Sequence, residues 1–339
     1  MVAIEEKTYP ELERAISPNH DIKLFAGRSN PELAQEIANE LGTTIGPMIV
    51  KNFADGEIYV QVKESVRGDD VFIIQPVCNP VNENLMELLI IIDAFKRASA
   101  KSITAVIPYY GYARQDRKTS GREAITAKLV ADLLTTAGAD RVLAMDLHTG
   151  QIQGFFNILV DHIYAAPIIT SYIKSLHIDP DEMVAVSPDM GGANRTRYFA
   201  KRLNCPIALI DKRRDKHNEA IATNVIGDVE GKVCLMFDDI IDTAGTICEA
   251  SKLLKRKGAK EIYVGATHPV FSGPAIERLA SSPITECIVT NTIPLDKSKL
   301  PANIKQISVA PLLAQAISRI HDDESVSSLF GFEKEMQVS

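Results

Sequence analysis

The sequence predicts an α/β protein whose sheets are mostly parallel and are covered by helices on both faces. Short apolar runs of strand length alternate with longer segments of helical period over almost the whole chain. The apolar runs are nearly continuous, which is typical of strands that are buried on both sides. The length of 339 residues favours two domains, each large enough for its own core.

Strands and helices are expected in regular alternation. The predicted strands are residues 22–25, 71–74, 103–107, 142–145, 183–186, 207–210, 233–237, 262–266 and 288–289. The predicted helices are residues 30–41, 84–98, 124–137, 165–175, 193–203, 246–257 and 274–280. This alternation is the pattern of parallel sheets that are connected through helices.

A weak internal repeat indicates that the two domains are related. Residues 71–110 run through strand, loop, helix, an Ala-Lys pair and a second strand, and residues 233–270 follow the same course. The second copy ends its first strand on Asp238 and Asp239, where the first copy has Gln75. The first domain is therefore expected to have lost the ligand chemistry of those acids. Chance similarity is the alternative, because the identities are few.

Composition excludes several classes of protein. The formal net charge of −7 argues against a nucleic-acid surface. The five cysteines are scattered without paired or metal-binding spacing, so reduced and mostly buried thiols are expected. The N-terminus lacks an apolar signal core, and no apolar run reaches the roughly 20 residues that span a bilayer. We expect a cytoplasmic protein with no membrane partner.

The most informative segment is VCLMFDDIIDTAGT at residues 233–246. An apolar strand ends on two adjacent carboxylates, and a third acid precedes a Thr-Ala-Gly-Thr helix start. Small residues and free N–H groups at a helix start suit a phosphate, while carboxylates suit hydroxyls or a hydrated metal ion. A sugar phosphate carries both kinds of group. A plain strand–turn–helix corner with Asp as N-cap is the alternative, and it explains only one of the acids.

Further polar groups follow other predicted strands. Arg114 and Gln115 leave a strand end after three tyrosines, which is where α/β sheets bind ligands. His148 follows another strand end, and taken alone it is more often a capped surface residue than a ligand. Asp189 precedes a Gly-Gly turn whose amides suit pyrophosphate, with the Asp as a candidate Mg²⁺ ligand. Asp55-Gly56 in FADGE is by itself typical of a hairpin turn.

A basic segment, DKRRDK at residues 211–216, is too polar to pack. Its plain interpretation is a solvated loop. A mobile loop that carries Lys212 and Arg214 would also be suited to close over a polyphosphate and to supply positive charge during transfer.

These segments, taken in order, resemble the class I ribose-phosphate diphosphokinases over nearly the whole chain. The strings that carry the resemblance are NFADGE, VNENLMELLIIIDAFKRASA, PYYGYARQDRK, DLHTGQIQGFFN, VSPDMGG, DKRRDK, DDIIDTAGT, THPVFSGPA and SVSSLF. The segment at 233–246 resembles their phosphoribosyl-pyrophosphate (PRPP) loop, which phosphoribosyltransferases share. The PRPP loop together with DLH-x-x-QIQGFF is specific to the diphosphokinases, because ordinary phosphoribosyltransferases do not share this combination. The resemblance changes the interpretation of His148 from a capped surface residue to a functional one.

The resemblance implies an architecture and a reaction. Two related phosphoribosyltransferase-type domains are expected at residues 1–166 and 167–320, with a tail at 321–339 returning to the first. The reaction moves the β,γ-diphosphoryl group of MgATP to the C1 hydroxyl of ribose 5-phosphate. The products are PRPP and AMP, and PRPP feeds nucleotide, histidine and tryptophan biosynthesis. The implied cofactor is Mg²⁺, and the implied assembly is a homohexamer.

Site roles carry over from the motifs residue by residue. The implied ATP-binding residues are Phe53, Asp55, Gly56 and Glu57 from a neighbouring subunit, with Arg114, Gln115 and His148. The implied catalytic residues are Lys212 and Arg214, and the metal-binding residues are His148 and Asp189. The implied ribose 5-phosphate-binding residues are Arg214, Asp238, Asp239, Asp242, Thr243, Ala244, Gly245 and Thr246. Two adjacent acids repel each other, so we expect their neutralisation to stabilise the unliganded protein.

The resemblance also implies regulation by phosphate as an activator and ADP as an inhibitor. The residues concerned are Ser65, Arg67, Arg122, Ser325 and Ser327. Gly121, Ala124, Leu159 and Asp215 depart from the family's usual strings, and none of them holds an assigned role. Two alternatives remain open: a phosphoribosyltransferase that uses PRPP, and a non-catalytic regulatory subunit associated with PRPP synthetases.

Overall fold

The computed structural model describes residues 22–213 and 222–330 of the chain. The first sheet is parallel throughout, in the order β1-β4-β5-β6-β7. Its strands are β1 (Ile22–Ala26), β4 (Asp70–Ile74), β5 (Ser102–Ile107), β6 (Arg141–Met145) and β7 (Leu159–Ile163). A separate antiparallel hairpin consists of β2 (Met48–Asn52) and β3 (Ile58–Val62). The helices of this half are α1 (Pro31–Leu41), α2 (Val81–Arg97) and α3 (Thr126–Ala137).

The second sheet has the order β10-β9-β8-β11-β12-β13-β14, and β10 is its antiparallel strand. Its strands are β8 (Met183–Ser187), β9 (Ile207–Arg213), β10 (Ala222–Ile226), β11 (Val233–Ile241), β12 (Glu261–Pro269), β13 (Glu286–Thr290) and β14 (Ile304–Ile307). The helices are α4 (Ala166–Ser175), α5 (Ala193–Leu203), α6 (Gly245–Arg256), α7 (Ala275–Ala280) and α8 (Ala310–His321).

The repeat predicted from the sequence has the same place in both sheets. The unit β4–α2–β5 lies beside β1, and the unit β11–α6–β12 lies beside β8, with all strands parallel. All residues of β4 and of β8 are buried, as expected for strands covered on both faces. The predicted α/β fold with mostly parallel sheets is confirmed.

Edge strands account for most of the elements that the sequence did not predict. The strands β7, β10 and β14 each end a sheet, and their sequences LVDHI, ATNVI and IKQI mix polar with apolar residues. An edge strand faces solvent on one side, so it does not need the continuous apolar run by which the central strands were recognised. The helix α8 was also missed.

The two halves share an apolar core as well as polar contacts. Leu33 of α1 belongs to the same buried cluster as Phe237 of β11 and Leu313 of α8. The side chain of Asn291 donates a hydrogen bond to Glu36 over 2.8 Å, which ties the end of β13 to α1. The helix α8 packs against α1, although the predicted boundaries place residues 310–320 in the second domain. The boundaries at residues 166 and 320 remain a prediction.

Two expectations from composition bear on the described chain. All five cysteines are free, and Cys78, Cys234, Cys248 and Cys287 are buried while Cys205 is partly exposed, as the sequence predicted. Within residues 22–213 and 222–330, every helix is too short or too polar to cross a bilayer.

Candidate active site

The carboxyl ends of the two sheets meet at a polar junction. His148 follows β6 of the first sheet, and its Nδ1 lies 2.7 Å from Oδ2 of Asp239 in β11 of the second. Arg114, which follows β5, donates a hydrogen bond to Asp242 over 2.5 Å. Side chains that the sequence assigned to separate segments are thus brought together across the junction, at the edge where parallel sheets bind ligands.

The acid pair is bridged by an arginine that the sequence analysis did not identify. One guanidinium nitrogen of Arg195 binds Asp238, and the other lies 2.8 Å from Oδ1 of Asp239. Asp239 is only 7% exposed, so its charge needs a partner. The expectation that neutralising the acids would stabilise the unliganded protein assumed that their repulsion was uncompensated, and the contacts of Arg195 argue against that assumption. The sequence signal was available: Arg195 lies in the first turn of α5, directly after the Gly-Gly turn.

The pKa values follow from this arrangement. Burial acts to raise the pKa of Asp239, but the hydrogen bond from His148 and the charge of Arg195 outweigh burial and hold that pKa well below its usual range. Burial and the adjoining Asp239 raise the pKa of Asp238 to about 7, against the charge of Arg195. The hydrogen bond to Asp239 raises the pKa of His148 in turn, although burial opposes it. The Asp239 carboxylate thus favours a proton on Nδ1 of His148, which donates the hydrogen bond.

A buried layer supports the end of β6 beneath His148. Asp146 has a φ of +39° and accepts hydrogen bonds from the Thr267 hydroxyl over 2.6 Å and from the Ala165 N–H over 2.9 Å. His268 of β12 lies with Nε2 3.1 Å from the carbonyl oxygen of Met145. Burial lowers the pKa of His268, so its imidazole is neutral. These contacts join the first sheet to the second, and they require residues about 120 positions apart to come together.

The predicted phosphate loop lies between β11 and α6. Ala244 precedes the helix in the left-handed conformation, with a φ of +58°, and Gly245 and Thr246 form the first turn. The first N–H groups of a helix have no acceptor within it, so this turn is suited to an anion. The carboxylate of Asp242 binds Arg114, which holds the pKa of Asp242 below its usual range against the effect of burial.

Asp189 lies in the turn before α5. Its carboxylate accepts a hydrogen bond from the Gly192 N–H over 2.9 Å, and its carbonyl accepts one from the Ser187 hydroxyl over 2.6 Å. One oxygen of the carboxylate therefore shapes the Gly-Gly turn. The other oxygen of Asp189 can still bind a metal ion.

The donor set suits Mg²⁺ only in part. The carboxylates of Asp189, Asp238 and Asp239 are the oxygen ligands that this ion prefers, whereas a protonated His148 cannot ligate through Nδ1. Among the described residues, no three acid, histidine or cysteine side chains are grouped closely enough to hold a metal ion by themselves. The residues present thus fit a Mg²⁺ ion that also takes ligands from substrate phosphates and water, as this ion commonly does.

The residues implied for the base of ATP lie elsewhere. Phe53, Asp55, Gly56 and Glu57 form the exposed tip of the β2–β3 hairpin, as the Asp-Gly pair predicted. The N–H of Phe53 donates to the Glu57 carbonyl over 2.8 Å. Within residues 22–213 and 222–330, no hydrogen bond or ion pair described for this tip reaches the acid pair. Gln115 accepts a hydrogen bond from Thr126 over 2.5 Å at the start of α3.

The other implied residues fall in three places. Lys212 lies in β9 without a described side chain, and Arg214 lies outside the described residues. Ser65, Arg67 and Arg122 are exposed on loops of the first half, and Ser325 and Ser327 contact each other over 2.8 Å after α8. In the described part of the chain, no hydrogen bond or ion pair links these last five residues to one another across the three segments.

Two α/β sheets that meet at an acidic junction beside a helix start suited to an anion define the class of this protein, an α/β protein with a site of the kind that suits a sugar phosphate. Comparison with known proteins gives the particular family. Residues 22–138 match the N-terminal domain of ribose phosphate pyrophosphokinase, and residues 215–331 match the phosphoribosyl synthetase-associated domain. The chain belongs to the ribose-phosphate pyrophosphokinase family. The resemblance found from the sequence motifs is thereby confirmed.

Individual relatives cover nearly the whole chain. Ribose-phosphate pyrophosphokinase 2, chloroplastic, of Arabidopsis thaliana is 57% identical over 335 residues, which are 96% of this chain and 84% of that protein. Ribose-phosphate pyrophosphokinase of Synechocystis is 58% identical over 317 residues, which are 93% of this chain and 95% of that protein. The crystal structure of phosphoribosylpyrophosphate synthetase from Mycobacterium smegmatis is 48% identical, with a TM-score of 0.84 over 89% of this chain and 99% of that one.

Proposed function

We propose that the chain is an active ribose-phosphate diphosphokinase, which transfers the β,γ-diphosphoryl group of ATP to the C1 hydroxyl of ribose 5-phosphate. The observation that carries the proposal is the junction at which His148 of the first half and Arg195 of the second both bind Asp239. The relatives named ribose-phosphate pyrophosphokinase support it, since they align over both halves of the chain.

The second half holds the acceptor sugar in this proposal. Asp238 and Asp239 accept hydrogen bonds from the ribose hydroxyls, and the turn from Thr243 to Thr246 binds the 5-phosphate through backbone N–H groups. The sugar hydroxyls replace part of the contact with Arg195, whose released N–H groups can then bind a phosphate oxygen. The C1 hydroxyl is thereby fixed next to the junction, and its orientation lowers the entropic part of the barrier.

The first half contributes the donor nucleotide. His148, as a cation, faces the polyphosphate, and Arg114 and Gln115 line the same side. Asp189 and the acid pair would hold Mg²⁺, and the ion would supply positive charge to the phosphates. Lys212 and Arg214 are assigned to the β-phosphoryl group during transfer. The transfer is an in-line displacement in which the protein's charges stabilise the transition state, without a covalent intermediate.

Two alternatives predict different products. A phosphoribosyltransferase would release pyrophosphate from PRPP and a base, and a non-catalytic subunit would form no product. The intact acid pair with its two cations disfavours a non-catalytic subunit, because buried charge without a ligand to bind only costs stability. The similarity over the first half disfavours a phosphoribosyltransferase.

The test is product analysis with the purified chain. AMP and PRPP formed in equal amounts from MgATP and ribose 5-phosphate support the proposal. Pyrophosphate released from PRPP with a base, or no product at any Mg²⁺ concentration, contradicts it. Asp238→Asn with Asp239→Asn should abolish turnover with ribose 5-phosphate, and unchanged constants for that substrate would show that the acids are structural.

Regulation, assembly and location belong to the same proposal. Phosphate as an activator and ADP as an inhibitor would bind at Ser65, Arg67, Arg122, Ser325 and Ser327, and a homohexamer would bring the hairpin tip of one subunit to the ATP of another. The exposure of Phe53, at 49%, supports a role for that tip in contacts outside its own subunit. A cytoplasmic location is proposed from composition, although the Arabidopsis relative is named chloroplastic.

A further inference from the structure

Arg278, on the short helix α7, makes a contact that the proposed reaction leaves unexplained. Its guanidinium donates a hydrogen bond to the carbonyl oxygen of Thr243 over 2.9 Å. The same nitrogen lies 3.4 Å from the place where a side chain at Gly245 would begin. Arg278 therefore lies directly against the turn that is proposed to bind the 5-phosphate, although it is 35 residues away in sequence.

Arg278 binds the peptide between Thr243 and Ala244, and Ala244 is the residue of the turn with a positive φ. Because a trans peptide points its C=O and N–H in opposite directions, the bond to the Thr243 carbonyl turns the Ala244 N–H away from Arg278. Ala244 is left-handed, a conformation that a residue with a Cβ adopts reluctantly. The contact from Arg278 is positioned to keep Ala244 in that conformation.

Two further observations point to an anion beside this peptide. Ala244 is only 4% exposed, yet none of the hydrogen bonds described for residues 22–213 and 222–330 takes its N–H as donor. A backbone N–H without an acceptor in a nearly buried residue is rare and calls for a ligand. No carboxylate of the described chain forms an ion pair with Arg278, so its charge is left to act on the turn.

We propose that Arg278 is a positioning residue for ribose 5-phosphate: it fixes the Thr243–Ala244 peptide so that the Ala244 N–H meets the 5-phosphate. This inference rests on the proposed function. Part of the affinity for ribose 5-phosphate then depends on Arg278, which lies outside the loop. Arg278 itself does not contact the reacting atoms in this proposal.

The first test compares Arg278→Gln with wild type under saturating MgATP. The KM for ribose 5-phosphate should rise by about 10-fold or more, the size expected from losing a hydrogen bond that supports an ionic contact. The KM for ATP should stay within about twofold. Arg97→Gln is the matched control, because Arg97 is an exposed arginine on α2 that pairs only with Asp93 among the described acids. It should leave both constants unchanged.

The second test separates positioning from charge alone. In an Ala244→Gly background, a left-handed residue no longer needs to be held, because glycine adopts that conformation readily. The effect of Arg278→Gln on the KM for ribose 5-phosphate should therefore be several-fold smaller in that background. Equal effects in both backgrounds would overturn the proposal. Arg278→Lys, which keeps the charge, should lie between wild type and Arg278→Gln.

Binding without turnover gives an independent readout. Ribose 5-phosphate should raise the melting temperature of wild type more than that of Arg278→Gln at the same concentration, since a ligand stabilises in proportion to its affinity. Equal shifts would count against the inference. If wild type forms no AMP, the proposed function fails. If wild type is active and Arg278→Gln matches it in every constant, only the role of Arg278 fails.

Discussion

Replacing Arg195 by glutamine should destabilise the unliganded protein, because it leaves two adjacent carboxylates with His148 as the one cation described beside them. Arg195 binds both acids in the folded chain. The variant keeps a polar side chain of similar reach, so the loss measures the charge and its two contacts more than the packing. The arginine is 31% exposed and Asp239 is 7% exposed.

The size of the effect lies between two reference cases. Removing one partner of a fully buried ion pair costs about 3–5 kcal/mol, while an exposed pair contributes about 0–1 kcal/mol. Asp239 is buried and keeps its hydrogen bond to His148, whereas Asp238 is partly exposed. We therefore expect a loss of about 2–3 kcal/mol in the free energy of unfolding near pH 7.5.

The loss should depend on pH in a definite direction. Without Arg195, the mutual repulsion of Asp238 and Asp239 raises their folded-state pKa values. A carboxyl group whose pKa is higher in the folded than in the unfolded state costs stability as the pH rises from the unfolded value toward the folded one. The deficit of Arg195→Gln relative to wild type should thus be larger at pH 7.5 than at pH 5.

Urea denaturation without Mg²⁺ or substrate checks this expectation at both pH values. Arg197→Gln is the control, because Arg197 is exposed two residues further along the same helix. Asp238→Asn with Asp239→Asn should make the further replacement of Arg195 less costly, since the charges that it compensates are gone. A loss below about 0.5 kcal/mol, the usual effect of a surface substitution, or a double asparagine variant more stable than wild type would refute the reasoning.

Three further outcomes are expected. Lys212→Ala should lower turnover by about 10²–10³ while ATP binding is largely kept, because one charge contact in the transition state is lost; near wild-type turnover at saturating substrates would contradict this. Activity should rise with phosphate and fall with ADP in a titration at fixed MgATP, and Arg122→Ala should abolish the response to phosphate; full activity without phosphate and purely competitive ADP would exclude the site. Burial lowers the pKa of His268 in the folded protein below its value in the unfolded chain. The neutral imidazole therefore stabilises the folded protein above the unfolded-state pKa, and this stabilisation is lost as the pH falls from the unfolded-state pKa through the folded-state pKa. The melting temperature of wild type should therefore fall more between pH 7 and pH 5 than that of His268→Gln, and parallel curves would contradict this.

The sequence predicted the fold through its central strands. Parallel strands that are buried on both faces must be continuously apolar, so β4, β8 and β11 could be recognised directly. Edge strands carry no such requirement, and β10 with β14 were missed for that reason. The internal repeat was recognisable because both strands of each copy lie in the interior of a sheet and therefore need apolar runs.

The candidate site was predictable where one segment carries the chemistry. The acid pair and the turn after it are contiguous in sequence, so their residue types predicted a sugar-phosphate site. Arg195, His268 and Arg278 were missed, because each acts on a partner at least 35 residues away in sequence. The place of Arg195 directly after the Gly-Gly turn was a local signal, but single-sequence patterns do not show which helix or strand lies beside the loop.

The first domain shows what happens to the equivalent strand end when its acids are absent. Gln75 is fully buried, and its side-chain oxygen accepts hydrogen bonds from the N–H and the hydroxyl of Ser29. Its amide nitrogen donates to Glu87 over 3.1 Å, and Glu87 also binds Arg28. Both ends of the amide are thus occupied by the protein. A ligand would have to break a satisfied buried network, so the first domain is not expected to bind a second sugar phosphate.

The acid pair of the second half is held differently, because its partners come from both halves of the chain. Asp239 takes one of its cations from each domain, His148 and Arg195, and Asp242 takes Arg114 from the first. A separate second domain would keep the carboxylates and lose His148 and Arg114. The pKa values of Asp238 and Asp239 would then rise. The affinity of these acids for cations and hydroxyls, and the stability of the protein, would change with them. Contact between the two halves therefore sets the charges around the site, so substitutions that loosen the junction should alter activity.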